Sequence, residues 1–157
     1  MGQEMIIVDR ILFLRRVSLF SKMTTGQLAC IAGAVSEAVY PAASRIIKEG
    51  ESGDLLFLIV DGEVLIHRGD TRLAILKPED YFGEMSIIDE EPRSASATAI
   101  TDCLILHLRH HDFRDIVTAN ADVAWAVIRT LSQRLRETTS NLQQAKGAQA
   151  DVSQTNL

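Results

Sequence analysis

The chain has 157 residues, of which 46% are hydrophobic and 24% are charged, with a formal net charge of −5. This length predicts one domain, large enough to bury a core without metal ions or disulfides to support it. The acidic balance argues against direct DNA binding, because a surface that grips nucleic acid usually has a basic face.

Two short helices are predicted at the N-terminus, over residues 4–16 and 24–34, and Thr24 is a candidate N-cap of the second. Asp9 and Arg10 interrupt the most apolar stretch of the first helix, far short of the ~20 apolar residues that a membrane span needs. The stretch also lacks the basic start and the cleavage site of a secretory leader. We therefore expect a cytoplasmic protein with no membrane segment in this chain.

From residue 35 to residue 110, short runs of Val, Ile and Leu alternate with turn residues. Strands that recur about every 8–12 residues indicate a β-sandwich or barrel, and Asp61-Gly62 is the strongest hairpin signal. The predicted fold is mainly β with flanking helices, an antiparallel β-roll or jelly roll. The predicted strands cover residues 45–48, 55–60, 63–67, 73–76, 95–100 and 103–108.

After the last strand the apolar spacing becomes helical again. One helix is predicted over residues 112–119, and Asn120 is expected to cap a longer helix that runs to about Ala145. The remaining polar residues have no core-forming pattern, and we predict that they are disordered. The chain is thus divided into an N-terminal helical segment, a β-roll, C-terminal lid and dimerisation helices, and a tail, at residues 1–34, 35–110, 111–146 and 147–157.

The longer helix carries apolar or small residues at alternating spacings of four and three, which is a heptad pattern. The members of this seam are Ala124, Ile128, Leu131, Leu135, Thr138 and Leu142. The pattern favours a parallel homodimer, and the alternative is a helix that lies against its own barrel.

A short helix predicted at residues 84–89 interrupts the strands, and its surroundings suit a sugar phosphate. Gly83 lets the backbone approach a ligand closely, and the free N–H groups at the helix start can hold an anion. Arg93 offers a planar fork for two phosphate oxygens, and the Ser94 hydroxyl can add a donor. Glu84 can accept a hydrogen bond from a ribose hydroxyl.

These residues resemble a known cassette. Phe82-Gly83-Glu84, the short apolar helix and Pro92-Arg93-Ser94-Ala95 are similar to the phosphate-binding cassette of the cyclic-nucleotide-binding domain family. That family includes bacterial catabolite activators, kinase regulatory subunits and cyclic-nucleotide-gated channels. The similarity covers roughly residues 17–140 and includes Ile46–Asp54 and Ile59–Val64.

The resemblance implies a regulatory sensor that binds a 3′,5′-cyclic nucleotide, with cAMP as the expected ligand, no other cofactor and no catalytic activity. By the resemblance, Glu84 holds the ribose 2′-hydroxyl and Arg93 holds the cyclic phosphate. The phosphate and ribose set is Gly83, Glu84, Met85, Ser86, Arg93, Ser94 and Ala95. The base would meet Ile66, Leu73 and Leu76, together with Arg134, Thr138 and Thr139 of the long helix. Movement of that helix would signal to a fused or separate effector.

The same residues are compatible with other functions. A hydroxyl after the cassette arginine can also favour guanine in its syn form, so Ser94 leaves cGMP as an alternative ligand. A degenerate roll that serves only as a dimer scaffold is a second alternative. Only about a dozen polar residues follow the predicted long helix, too few for a helix-turn-helix, so control of DNA would need a partner if the chain is complete.

A metal-dependent enzyme is a further alternative, because His107, His110 and His111 cluster in the sequence. They lack the His-x-His spacing followed by Glu, and we predict that they are solvated and that the chain has no metal site. Ser94 lacks a placed base, so no activated nucleophile is indicated.

Overall fold

A computed structural model describes residues 2–155, and at residues 85–87 and 150–155 it describes the backbone alone. The chain opens with helix α1 (Ile7–Arg16), a single 3-10 turn (Ser18–Phe20) and helix α2 (Thr25–Ala34). The Thr24 hydroxyl accepts a hydrogen bond from Gln27 N, and the Gln27 side chain accepts one from Thr24 N. This reciprocal cap confirms the predicted start of α2.

In the described residues, eight strands form two four-stranded sheets, and each strand pair is antiparallel. One sheet has the order β1-β8-β3-β6 and the other has the order β2-β7-β4-β5. The predicted antiparallel roll with flanking helices is confirmed. The strands are β1 (Ser36–Tyr40), β2 (Arg45–Ile47), β3 (Leu55–Asp61), β4 (Val64–Arg68), β5 (Thr71–Leu76), β6 (Tyr81–Phe82), β7 (Ser96–Ala99) and β8 (Cys103–Arg109).

In the first sheet, β3 is buried on both faces, which explains its unbroken apolar run. Leu56 and Leu58 pack into a core formed with α1, α2 and the start of the last helix. Phe57 and Ile59 point the other way, into the core between the two sheets. Successive side chains of a strand face opposite sides, so a strand between two cores must be apolar at nearly every position.

The described part of the chain has three further helices: α3 (Glu84–Asp89), α4 (His110–Ala119) and α5 (Ala121–Thr155). The Asn120 side-chain oxygen accepts a hydrogen bond from Asp122 N at 3.1 Å, which confirms Asn120 as the cap of α5. Among the helices that the structure describes, none is both long enough and apolar enough to span a bilayer.

The predicted end of α5 at Ala145 is wrong, because the helix continues to Thr155. Residues 147–155 of the predicted disordered tail are therefore helical, while residues 156 and 157 lie outside the described part. Gly147 is the only glycine in this helix. A single interior glycine costs about 1 kcal/mol relative to alanine, which is too little to end a helix whose other residues favour it.

The two faces of α5 differ in what covers them. Val123, Ala126 and Val127 are buried against the helical core of the same chain, so the first turns do lie on their own barrel. Ile128 and Leu135 of the predicted seam are exposed by 51% and 68%. Leu131 of the same seam is half-buried and packs against the helical core, so the seam is only partly separate from the face that packs inward.

Candidate functional site

Arg93 is the most deeply buried charged side chain among the residues described, with 5% of its surface exposed. It lies after α3, in the segment that leads into β7. Its Nη2 donates to the Leu55 carbonyl at 2.9 Å, and its Nη1 donates to the Gly83 carbonyl at 3.3 Å. Its Cζ lies 5.5 Å from the centre of the Phe57 ring, within range of a cation–π contact.

The guanidinium lacks a close counter-ion. Burial lowers the pKa of Arg93, and the negative charges of Asp54 and Glu84 act in the opposite direction. Among the described residues, no carboxylate oxygen lies within 4.0 Å of the Arg93 guanidinium. Arginine stays protonated in proteins, so this is a buried cation whose charge is balanced only at longer range.

Glu84 opens α3 and is half-buried. Burial raises the pKa of its carboxyl group, while a hydrogen bond from its own backbone and the charge of Arg93 lower it. Gly83 precedes it with φ of +83°. A Cβ at Gly83 would lie 2.6 Å from Arg93 Nη1 and 2.8 Å from the Leu55 carbonyl oxygen. Glycine is therefore required here for both its conformation and its size.

A cavity of about 390 Å³ opens beside Arg93 and Glu84. Its volume lies within the roughly 300–1,000 Å³ typical of sites that bind small molecules. Its walls combine apolar side chains of the second sheet with polar groups of the cassette. The structure brings eight of the predicted site residues to this lining: Ile66, Leu76, Gly83, Glu84, Arg93, Ser94, Ala95 and Arg134.

Leu73 is not part of the lining, although it was predicted to face the base. It lies on β5, three positions before Leu76, and 51% of its surface is exposed. Leu73 is the extra residue of a bulge in β5, because Ile66 pairs with Ala74 while His67 pairs with Arg72. The regular alternation of side chains is interrupted at this bulge, and Leu73 does not line the cavity.

Thr138 and Thr139 also lie outside the lining, on the exposed part of α5. Each hydroxyl donates to the carbonyl four residues earlier, at 2.9 Å. The predicted contributions of Met85 and Ser86 can be placed only by backbone, because their side chains lie outside the described residues.

Several residues line the cavity although the sequence analysis did not predict them as site residues: Ile47, Tyr81, Phe82, Asp89, Glu91, Pro92 and Ser96. Tyr81 is the most informative, because Arg134 of α5 places its Cζ 4.8 Å from the centre of the Tyr81 ring. The Tyr81 hydroxyl is buried and has no hydrogen-bond partner among the described residues. Its position two residues before Gly83 was the feature of the sequence that could have indicated that Tyr81 lies at the site.

The side chains of His107, His110 and His111 do not come together as a metal site in the described residues. His107 Nε2 lies 2.9 Å from the Tyr40 hydroxyl, and burial lowers the pKa of His107. His110 Nε2 lies 2.8 Å from a Glu90 carboxylate oxygen, and His111 is largely exposed. The prediction that His107 and His110 are solvated is therefore wrong. No set of three His, Cys, Asp or Glu side chains in the described residues is arranged to hold a metal ion.

One family profile and two curated proteins each match more than half of this chain. Residues 37–120 match the profile of the family described as "Cyclic nucleotide-binding domain". The chain is 31% identical over 134 residues to the "CRP-like cAMP-activated global transcriptional regulator" of Mycobacterium tuberculosis, covering 82% of this chain and 60% of that protein. It is 34% identical over 113 residues to the "cAMP-dependent protein kinase regulatory subunit" of Aspergillus niger, covering 71% and 28%.

A solved structure is similar over nearly its whole length. It is the N-terminal domain of a transcriptional regulator from Streptomyces coelicolor A3(2), with a TM-score of 0.73 and 32% identity, covering 83% of this chain and 94% of that one. The chain thus spans 60% or less of the length of each of the two curated relatives. By contrast, it covers 94% of the length of the isolated domain from Streptomyces coelicolor.

Proposed function

This chain belongs to the cyclic nucleotide-binding domain family, and on that premise we propose that it is a cAMP-responsive regulatory module that signals through its C-terminal helix. The observation that carries the proposal is Arg93, a buried guanidinium without a close counter-ion at the wall of a nucleotide-sized cavity. Two relatives named for cAMP favour this nucleotide. The module has no catalytic activity and needs no cofactor beyond this ligand.

In the proposed complex, the donors of Arg93 that do not reach Leu55 and Gly83 bind the cyclic phosphate. A phosphate at this position supplies the counter-charge that the buried guanidinium lacks. Glu84 accepts a hydrogen bond from the ribose 2′-hydroxyl. Gly83, Ser94 and Ala95, which line the same cavity, complete the phosphate and ribose shell with the backbone of residues 85 and 86.

The base would lie between the second sheet and α5. Ile66 and Leu76 supply apolar surface, and Arg134 closes the cavity from the helix side. Thr138 and Thr139 lie one turn further along α5, so they reach the base only if α5 moves or a second subunit provides them.

Signalling follows from the position of Arg134. A base that enters the cavity meets a side chain of α5 that is already placed over the Tyr81 ring. The ligand can shift α5 only if it binds one position of the helix more tightly than another. The helix would pass this movement to a fused or separate effector, or to a second copy of the chain.

Calorimetry with cAMP and cGMP tests the proposal. A ligand of about 22 heavy atoms at roughly −0.3 kcal/mol per atom gains about 7 kcal/mol, which corresponds to a Kd of ~10 µM. We expect cAMP to bind in the micromolar range and cGMP more weakly. If neither nucleotide binds, the proposed function is wrong, and the alternative of a degenerate roll that serves only as a dimer scaffold replaces it.

A cGMP-binding module is the second candidate, because the Ser94 side chain lies next to Arg93 at the cavity wall. A hydroxyl there can bond to the amino group of guanine in the syn form. Competition between the two nucleotides distinguishes the candidates, and tighter binding of cGMP would select this alternative.

A further inference from the structure

The loop between β2 and β3 holds the backbone of Arg93 from both directions. Gly50 N donates to the Arg93 carbonyl, and Arg93 N donates to the Glu51 carbonyl, both at 2.9 Å. The Asp54 carbonyl at the end of this loop accepts from His110 N at 2.7 Å. The loop is therefore tied both to the buried arginine and to the first residue of α4.

Gly53 of the same loop lies directly against the guanidinium. A Cβ at Gly53 would lie 2.5 Å from Arg93 Nε, 2.5 Å from Nη2 and 2.7 Å from Cζ. These distances are shorter than side-chain atoms tolerate, so an alanine would have to displace the guanidinium. The φ of Gly53 is outside the left-handed region, so its backbone is open to alanine. The requirement for glycine at this position is one of space.

Gly83 approaches the same group, because a Cβ there would lie 2.6 Å from Arg93 Nη1. Gly53 and Gly83 come from separate loops and leave room for one planar group. We call this pair the glycine slot.

We infer that Gly53 is a positioning residue that holds the Arg93 guanidinium in place for the ligand phosphate. The inference rests on the proposed function, since it assumes that Arg93 binds the phosphate. A planar donor recognises two oxygens only in a fixed orientation. The slot fixes that orientation together with the hydrogen bonds to the Leu55 and Gly83 carbonyls, because no carboxylate among the described residues lies close enough to orient the guanidinium.

The first test compares two Gly-to-Ala variants by calorimetry with cAMP, at a temperature where both are folded. Gly53→Ala should lower the affinity at least about tenfold, because a displaced fork loses a charge-assisted hydrogen bond. Gly33→Ala is the matched control: a Cβ there meets no atom within 4 Å, and its affinity should stay within about twofold of wild type. Equal affinities for Gly53→Ala and wild type would overturn the inference.

The second test needs no ligand. Displacing Arg93 breaks its bonds to the Leu55 and Gly83 carbonyls, so Gly53→Ala should lower the urea midpoint of the full chain. In an Arg93→Ala background the added methyl meets no guanidinium, so the same change should leave the midpoint unmoved. If Gly53→Ala prevents folding, Arg93→Ala should restore it. An equal destabilisation in both backgrounds would show that Gly53 does not act through Arg93.

The two tests separate the inference from the proposed function. If wild type binds neither nucleotide, the proposed function fails, and the unfolding comparison still decides whether Gly53 positions Arg93. If wild type binds cAMP and both glycine variants bind it equally well, the proposed function stands and the inference fails.

Discussion

At the scale of single residues, the cassette combines two charges that burial disfavours. The pKa shifts of Glu84 and Arg93 are dominated by loss of solvation, and each charge partly offsets the other's shift. Such an arrangement lowers the stability of the empty protein unless a ligand completes it. Buried groups with perturbed pKa values concentrate at functional sites for this reason.

Glu84 gives a pH-dependent prediction. Because burial raises the pKa of this carboxyl group, Glu84 becomes protonated at a higher pH than an exposed glutamate as the solution is acidified. The protonated form is a weaker acceptor for the ribose 2′-hydroxyl. The preference for cAMP over 2′-deoxy-cAMP should therefore fall as the pH is lowered, and competition binding at a series of pH values measures it.

Glu84→Gln is the control for this prediction. The amide is similar in shape and does not titrate, so the preference should be smaller at neutral pH and independent of pH. The ratio of the two affinities isolates the hydroxyl, because both ligands carry the same phosphate and base. A preference that keeps its pH dependence in Glu84→Gln would contradict the assignment of the ribose to Glu84.

The individual residues that could be predicted are those whose chemistry is local in sequence. Gly83, Glu84 and Arg93 lie within eleven consecutive residues, and the structure brings all three to one cavity. Leu73 does not line the cavity because it is the extra residue of a bulge in β5, which depends on the strand register between β4 and β5. Gly53 stands out only once the packed guanidinium is known.

At the scale of elements, part of the apolar seam of α5 is exposed beside the packed face of the helix. Ile128, Leu135 and Leu142 are all more than half exposed in the single chain. Residues at heptad spacing pair well in a parallel coiled coil. We therefore propose that two copies of the chain associate along α5.

Leu135→Asp tests this pairing. Leu135 is 68% exposed, so the change should leave the helical content unaltered by circular dichroism. A charge in the seam should shift the protein from dimer to monomer in sedimentation velocity. Ser140→Asp, on the exposed helix surface outside the seam, is the matched control and should remain dimeric. Wild type that sediments as a monomer at every concentration would contradict the pairing.

Element boundaries show what local sequence can and cannot determine. The capped starts of α2 and α5 were predictable because each cap bonds to residues two or three positions away. β1 and β6 were not predicted as strands. β6 has two residues, which is too short for any periodicity, and β1 contains polar Ser36 and Glu37, of which Glu37 pairs with Arg10 of α1.

At the scale of the whole molecule, the first sheet contributes to both hydrophobic cores, and its strand β6 lines the cavity. Its inner face packs on the second sheet, and its outer face packs on the helices of both ends of the chain. The arginine of the cassette is hydrogen-bonded to the β2–β3 loop, and Arg134 of α5 lines the cavity. Turn signals and strand spacing predicted this roll, whereas the contact between Arg134 and Tyr81 depends on chain segments more than fifty residues apart.

Calorimetric titration of Arg93→Ala with cAMP tests the central claim most directly. Removing one partner of a buried charge pair costs about 2–5 kcal/mol, so the affinity should fall at least about 30-fold from that of wild type. Arg129→Ala, an exposed arginine outside the cavity lining, should bind as wild type does. If the folded Arg93→Ala protein binds cAMP with unchanged affinity, the phosphate does not lie at this guanidinium and the proposed site is wrong.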